Sequence, residues 1–212
     1  MEQTVEKLES QLKTSQNVNT ILSEQLDDLQ QYGRRSCVIV EGIPLSENGT
    51  RETELEAETK LKNKLLKNFD ILEKILNAEF DKCHRIGKVK PDKKNPEVSK
   101  QSMIVKFKSH SFRSKLFDQR KDIEGRPKKT IKLRVSLTKR RSALLNYAAG
   151  VIEHFPDNFH FAYSDPNGGL KFRMRYPIGG RYTFSFNSET DIDGIINKLD
   201  LVHLNAAGED EL

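Results

Sequence analysis

Apolar residues open the chain at intervals alternating between three and four: Val5, Leu8, Leu12, Leu22, Leu26 and Leu29, with Ser15 and Asn19 completing the series. The first 32 residues hold no Gly or Pro, so this narrow seam predicts a parallel coiled coil over 1–33 rather than a broad amphipathic stripe folded on its own domain. Asn19 takes an a position, where a buried amide fixes register at a cost in stability. The e and g positions carry mostly Gln, Ser and Val, so partner choice is not written in opposed charges. Tyr32-Gly33 supplies the helix stop.

The period then changes. "SCVIVEGIP" (36–44) is a β-branched run closed by Gly42 and Pro44 and predicts a buried strand. A Glu-, Lys- and Leu-rich helix follows over about 53–68, then a strand near 78–86, a basic loop, and an alternating strand at 102–109. Phe112, Leu116 and Ile123 share one face of a second helix begun by Ser109 or Ser111. In "TIKLRVS" (130–136), Ile131, Leu133 and Val135 alternate with Lys132 and Arg134. The succession β-α-β-β-α-β predicts an α+β, ferredoxin-like domain over 34–136, with two helices on one face of a four-stranded sheet and the other face open. Residues 137–203 predict a smaller α+β unit. It begins with a helix capped by Ser136 or Thr138 and striped by Leu144, Ala148, Val151, Ile152 and Phe155. Three strands follow, "FHFAYS", "LKFRMRY" and "RYTFSF", separated by "DPNGG" and "PIGG", and then a closing helix capped by Ser188 and Asp191 and reaching about Leu201. The tail 204–212 reads as disordered.

Charge sharpens this outline. The formal net charge of the 212 residues is +5, yet residues 84–141 alone hold twenty basic and five acidic residues, a net +15. Charge concentrated in this way suits neutralisation of phosphates more than general solubility. With 35% hydrophobic residues the chain has room for two modest modules rather than a large enzyme core. No apolar run is long enough for a membrane span and the N-terminus lacks a signal-peptide pattern, so a soluble, intracellular protein is expected. Cys37 and Cys83 are too few for a disulfide framework and read as small buried hydrophobes.

On an RNA-recognition motif, aromatic side chains of the first and third strands stack bases. Here Ile39, Ser102 and Ile104 occupy those positions. Nucleic acid would therefore be held on this domain mainly by charge: Lys106, Lys132 and Arg134 on the open face, Arg85, Lys88, Lys90, Lys93 and Lys94 at one end of the second and third strands. Lys139, Arg140 and Arg141 open the next helix, where they oppose its macrodipole and would favour a bound phosphate. Cys83-His84 and the scattered histidines lack zinc spacing, and "GRPKKT" lacks the glycines of a phosphate loop. The reading therefore assigns no metal site, no cofactor and no catalytic residues.

"RRSCVIVEGIP" after a coiled coil, "CHRIGK" before a basic loop, "MIVKF" and "SLTKRRSALLNYA" together resemble the first-open-reading-frame protein of LINE-type non-LTR retrotransposons, over about residues 1–203. The resemblance implies a coiled-coil homotrimer, an atypical RNA-recognition motif and a small C-terminal domain. It implies that these clamp single-stranded RNA, and single-stranded DNA as a second ligand, in a basic cleft. Coating of the element's transcript, nucleic-acid chaperone activity and a cytoplasmic ribonucleoprotein with nuclear access follow from the same likeness. Arg34, Arg35, Arg85, the loop lysines, Arg140, Arg141 and Tyr163 would contact RNA. The coil is shorter than the family's, the pattern of a truncated or host-retained copy. Two rival expectations are a host RNA-recognition-motif adaptor whose sheet or coil binds a protein, and a duplex-DNA-binding coiled-coil protein.

Overall fold

A computed structural model describes residues 2–45, 52–91, 99–124, 131–155, 159–175 and 181–197. The long helix α1 spans Glu2–Gly33, about 48 Å at 1.5 Å per residue. Its seam residues Val5, Leu8, Leu12, Leu22, Leu26 and Leu29 are all exposed, and so is Asn19. By contrast Asp27 and Gln31, near its C-terminal end, are buried. The helix thus docks on the body through a polar side and leaves its apolar side open.

Four strands, β1 (Cys37–Glu41), β2 (Phe80–Pro91), β3 (Ser99–Phe107) and β4 (Lys132–Val135), form one antiparallel sheet in the order β2-β3-β1-β4. Helices α2 (Glu54–Asn68) and α4 (His110–Glu124) cover one face. Alternation decides which face. Val38, Val40, Met103, Val105, Phe107, Leu133 and Val135 point inward against Ala57, Leu61 and Leu65 of α2 and Phe112, Leu116 and Phe117 of α4. Each such Val, Leu or Phe contributes about 1.5–3 kcal/mol relative to remaining exposed. Phe107 lies at the centre, its ring edge-on to Phe80 at 6.4 Å and to Phe112 at 5.0 Å.

Local signals set the helix ends. Thr53 and Glu56 form a reciprocal capping box at α2, and the Ser109 hydroxyl accepts from the Phe112 amide at α4. A short helix, α3 (Glu73–Glu79), lies between α2 and β2, where the sequence pattern predicted only the approach to a strand. Seven residues with Leu76 alone buried are too few to show a helical period. Ile123 has its side chain, and 92–98 with Lys93 and Lys94 lie whole, outside the described residues.

The second module packs α5 (Lys139–His154) and a helix over 189–197, α6, on a three-stranded antiparallel sheet. Its strands run β5 (Phe159–Ser164), β6 (Leu170–Arg175), β7 (Arg181–Phe186). Phe159, Phe172 and Phe186 stack through its core at centroid distances of 5.0 and 4.7 Å. Of the two caps expected for α5, Thr138 is the one used: its side chain accepts from the Arg141 amide. Leu137 packs against both hydrophobic cores and joins the modules. The closing helix is described only to residue 197, so its expected extension to Leu201 and the tail 204–212 lie outside the described residues. Among the described residues no helix is long and apolar enough to cross a membrane.

Candidate nucleic-acid interface

The face of the first sheet turned away from the helices carries what the inward alternation leaves over. Register places Ile39 beside Ile104 and Arg134, Glu41 beside Lys132, and Lys82 beside Lys106. Lys132 is exposed. Lys106 pairs with Asp81 at 3.4 Å and Arg134 with Glu41 at 2.9 Å, both at solvent-exposed positions. Such pairs are worth about 0–1 kcal/mol, so an incoming anion would displace these carboxylates at little cost.

The basic loop expected after Ile86 is in part a strand. β2 continues to Pro91, with Lys90 opposite Lys100 and Pro91 opposite Ser99. The pairing slips between Ile86 and Lys90 around Gly87, whose φ of 73° is open to glycine but strained for other residues. The Gln101 amide donates to the Gly87 carbonyl at 2.7 Å and holds this bulge. A cleft forms beside it, lined by Lys88, Lys90, Lys100, Arg134 and Glu41 among others. Four cations to one carboxylate give the pocket a positive field over the open face of the sheet. Lys100, which precedes the strand expected at 102–109 but lies in the observed β3, belongs to this cluster.

Arg85 is a correction to the expected basic wall. No bulge intervenes at His84, and Arg85 pairs with Met103, whose side chain is in the core. Arg85 therefore turns inward. Its guanidinium donates to Glu52 and to the carbonyls of Ile43, Pro44 and Gln101 at 2.7–3.2 Å. Glu52 in turn holds Lys60 at 2.7 Å. Arg85 closes the edge of the fold with its donors already used.

Arg140 and Arg141 are likewise engaged, by α1. Arg140 reaches Glu24 at 3.2 Å. Arg141 donates through Nε to Asp27 at 2.7 Å, through its terminal nitrogens to Asp28 and, at 3.1 Å, to the Gly168 carbonyl. Asp27 also accepts from the Thr138 hydroxyl. The Gln31 amide donates to the Ser136 carbonyl at 3.1 Å and accepts from the Thr138 amide at 3.0 Å. Gly168, φ 91°, lies so close to Gln31 that a Cβ there would clash with its side chain. Helices α1 and α5 and the β5–β6 turn thus meet in one polar joint. Glu24, Asp27, Asp28 and Gln31 recur at helical spacing opposite the leucine seam, and that acidic stripe was the available sequence signal for the contact.

The remaining expected contacts lie apart. Arg34 reaches the Ser136 hydroxyl and the Leu137 carbonyl at 3.4 Å, at the edge of the joint. Arg35 stacks over Tyr32 at 3.8 Å. Lys139 is exposed beside Leu26 in an open groove between α1 and α5. Tyr163 sits on the second sheet, 5.5 Å from Phe161. Burial raises the thiol of Cys37 above its ordinary value and pushes that of Cys83 up to about 11, so both stay protonated at neutral pH. Among the described residues no His, Cys, Asp and Glu cluster has metal-site geometry. Comparison with protein-family models and with curated proteins finds no match to this chain.

Proposed function

We propose that the chain is a non-enzymatic protein that binds single-stranded RNA, and single-stranded DNA second, self-associates through α1, and coats the transcript of a LINE-type retrotransposon as a nucleic-acid chaperone. The observation that carries this reading is the cluster of Lys88, Lys90, Lys100 and Arg134 in one cleft above an open sheet face with Lys106 and Lys132. That face has no aromatic at Ile39, Ser102 or Ile104, so phosphate charge dominates recognition there. The strand order β2-β3-β1-β4 with α2 and α4 on one face supports a ferredoxin-like, RNA-recognition-motif reading of residues 34–136, with α3 as an addition. The six exposed seam residues support self-association of α1; the trimer and the cytoplasmic ribonucleoprotein are proposed with it on the family likeness alone.

Fluorescence anisotropy with single-stranded RNA across salt concentrations tests the binding. Each phosphate contact contributes about 0.7 to the log–log salt slope for a single strand. Replacing Lys88 and Lys90 by alanine should flatten the slope by about 1.4. A parent slope near zero, or preference for duplex DNA, defeats the proposal. For α1, sedimentation of the full chain carrying Leu12→Asp and Leu22→Asp should give a monomer where the parent gives an oligomer; a monomeric parent counts against the coil.

A further inference from the structure

The outer face of the second sheet carries a pattern that the first sheet lacks. Register aligns Phe161, Arg173 and Thr183 in one row across β5, β6 and β7, and Tyr163, Lys171 and Ser185 in the next. Each row runs aromatic, cation, hydroxyl. The alternate positions Ala162, Leu170, Phe172 and Phe186 face α5 and α6, so both rows point away from the core. Phe161 is 44% exposed in this outer row; Phe184, in the core-side row with Ala162 and Phe172, is 41% exposed, whereas Phe159, Phe172 and Phe186 are buried.

The two rings are two residues apart on β5, about 7 Å along the strand, and meet edge to face at 5.5 Å. Arg173 lies over the Phe161 ring at 5.6 Å, and Lys171 reaches Asp165 at 3.3 Å. We propose that this face is a stacking platform for two unpaired nucleobases, with Phe161 and Tyr163 as the floor and Arg173 and Lys171 taking the adjoining phosphates. The inference rests on the single-strand reading above and assigns base contact to the second module, phosphate contact to the first. Nucleobases fit better than a peptide because every ring has its own cation directly across the strand pair. Bases offer a flat π surface to the ring and an anion to the cation in the same repeat. Thr183 and Ser185 keep the third column small and polar.

The test compares full-length protein on an oligouridylate of about 20 nucleotides and on an abasic phosphodiester of the same length. The parent should bind the oligouridylate about tenfold or more tightly than the abasic strand. Phe161→Leu and Tyr163→Leu keep apolar bulk without the π face. Each should erase most of that preference while leaving abasic binding and its salt slope unchanged. As a check that needs no variant, photo-crosslinking of 4-thiouridine RNA to the parent should place adducts on Phe161 or Tyr163. Equal parent binding to both strands, a preference unchanged in both variants, or adducts confined to residues 34–136 overturns the platform and leaves the face to a protein partner. A parent that binds neither strand overturns the single-strand reading itself.

Discussion

Asp27→Asn should be the most costly single-atom change at the joint between α1 and the modules. The carboxylate accepts from the Thr138 hydroxyl and from Arg141 Nε, the latter at 2.7 Å. The side chains of Asp27 and Arg141 are 10% and 15% exposed. Removing one partner of a buried pair costs about 3–5 kcal/mol. Asparagine keeps the shape and one acceptor, and Arg141 retains Asp28 and the Gly168 carbonyl, which lowers the expected loss to about 2–3 kcal/mol. For a chain of this size that is about 5–10 °C in Tm. The control is built in. Arg140 and Glu24 make the same kind of pair at 35% and 47% exposure, where about 0–1 kcal/mol is expected. Urea unfolding of Asp27→Asn, Arg141→Ala and the double variant gives the coupling directly, and a value of about 1.5–2.5 kcal/mol is expected. Coupling below about 0.5 kcal/mol, or a Glu24→Gln loss as large as that of Asp27→Asn, would refute the argument that burial sets the worth of this contact.

Further outcomes follow from single side chains. Arg113 on α4 is fully buried, none of its nitrogens has a hydrogen-bond partner among the described residues, and burial with Arg120 nearby lowers its pKa to about 10. It lies over the Phe117 ring at 4.1 Å. Arg113→Leu should therefore raise stability by about 1–3 kcal/mol, and a loss in urea unfolding would show that the guanidinium is needed where it lies. Asp191 caps α6: its carboxylate accepts from the amides of Asn187 and Ser188, at 2.8 and 3.1 Å. These hydrogen bonds, Asn187 first, hold it below the usual carboxylate value. A depressed value in the fold means stability present above the ordinary Asp range and lost as pH falls through the lower folded value. Asp191→Asn should cost about 0.5 kcal/mol at neutral pH and remove that part of the acid slope. An unchanged slope between pH values of about 2 and 5 would speak against the cap.

The first module was legible where a short-range period sets the structure. Alternation in "TIKLRVS" and "SMIVKF" places every inward residue of β3 and β4, and Thr138 caps α5 as its residue type suggests. What escaped was set by pairing across the chain. β2 runs to Pro91 because Ser99 and Lys100 supply partners around the Gly87 bulge, and no local signal in a lysine- and proline-rich stretch announces that. Arg85 turns inward because the ladder keeps register through His84. A one-residue slip would have put it on the open face. Phe161 is outward because a bulge separates it from Phe159 in the pairing with β6, whereas simple alternation gives both the same side.

The cations at the start of α5 show why charge density and charge availability are different quantities. Lys139, Arg140 and Arg141 oppose the macrodipole of the helix they open, an unfavourable placement of about 0.3–1 kcal/mol each when exposed. The sequence offers a phosphate as the remedy. In the fold Glu24, Asp27 and Asp28 of α1 already provide carboxylates for Arg140 and Arg141. On the proposed RNA-binding reading, mutation of Arg141 would therefore weaken affinity by loosening the joint, even where no phosphate touches it, and an affinity loss alone does not identify a contact. The salt slope separates the cases, since losing a phosphate contact flattens it and losing an internal ion pair does not. Because Asp27 and Gln31 lie opposite the leucine seam, α1 has room for partner copies on one side while fixing the second module on the other. If α1 self-associates as proposed, self-association and the placement of that module share one helix, and a break at the joint should free the module without dissolving the oligomer.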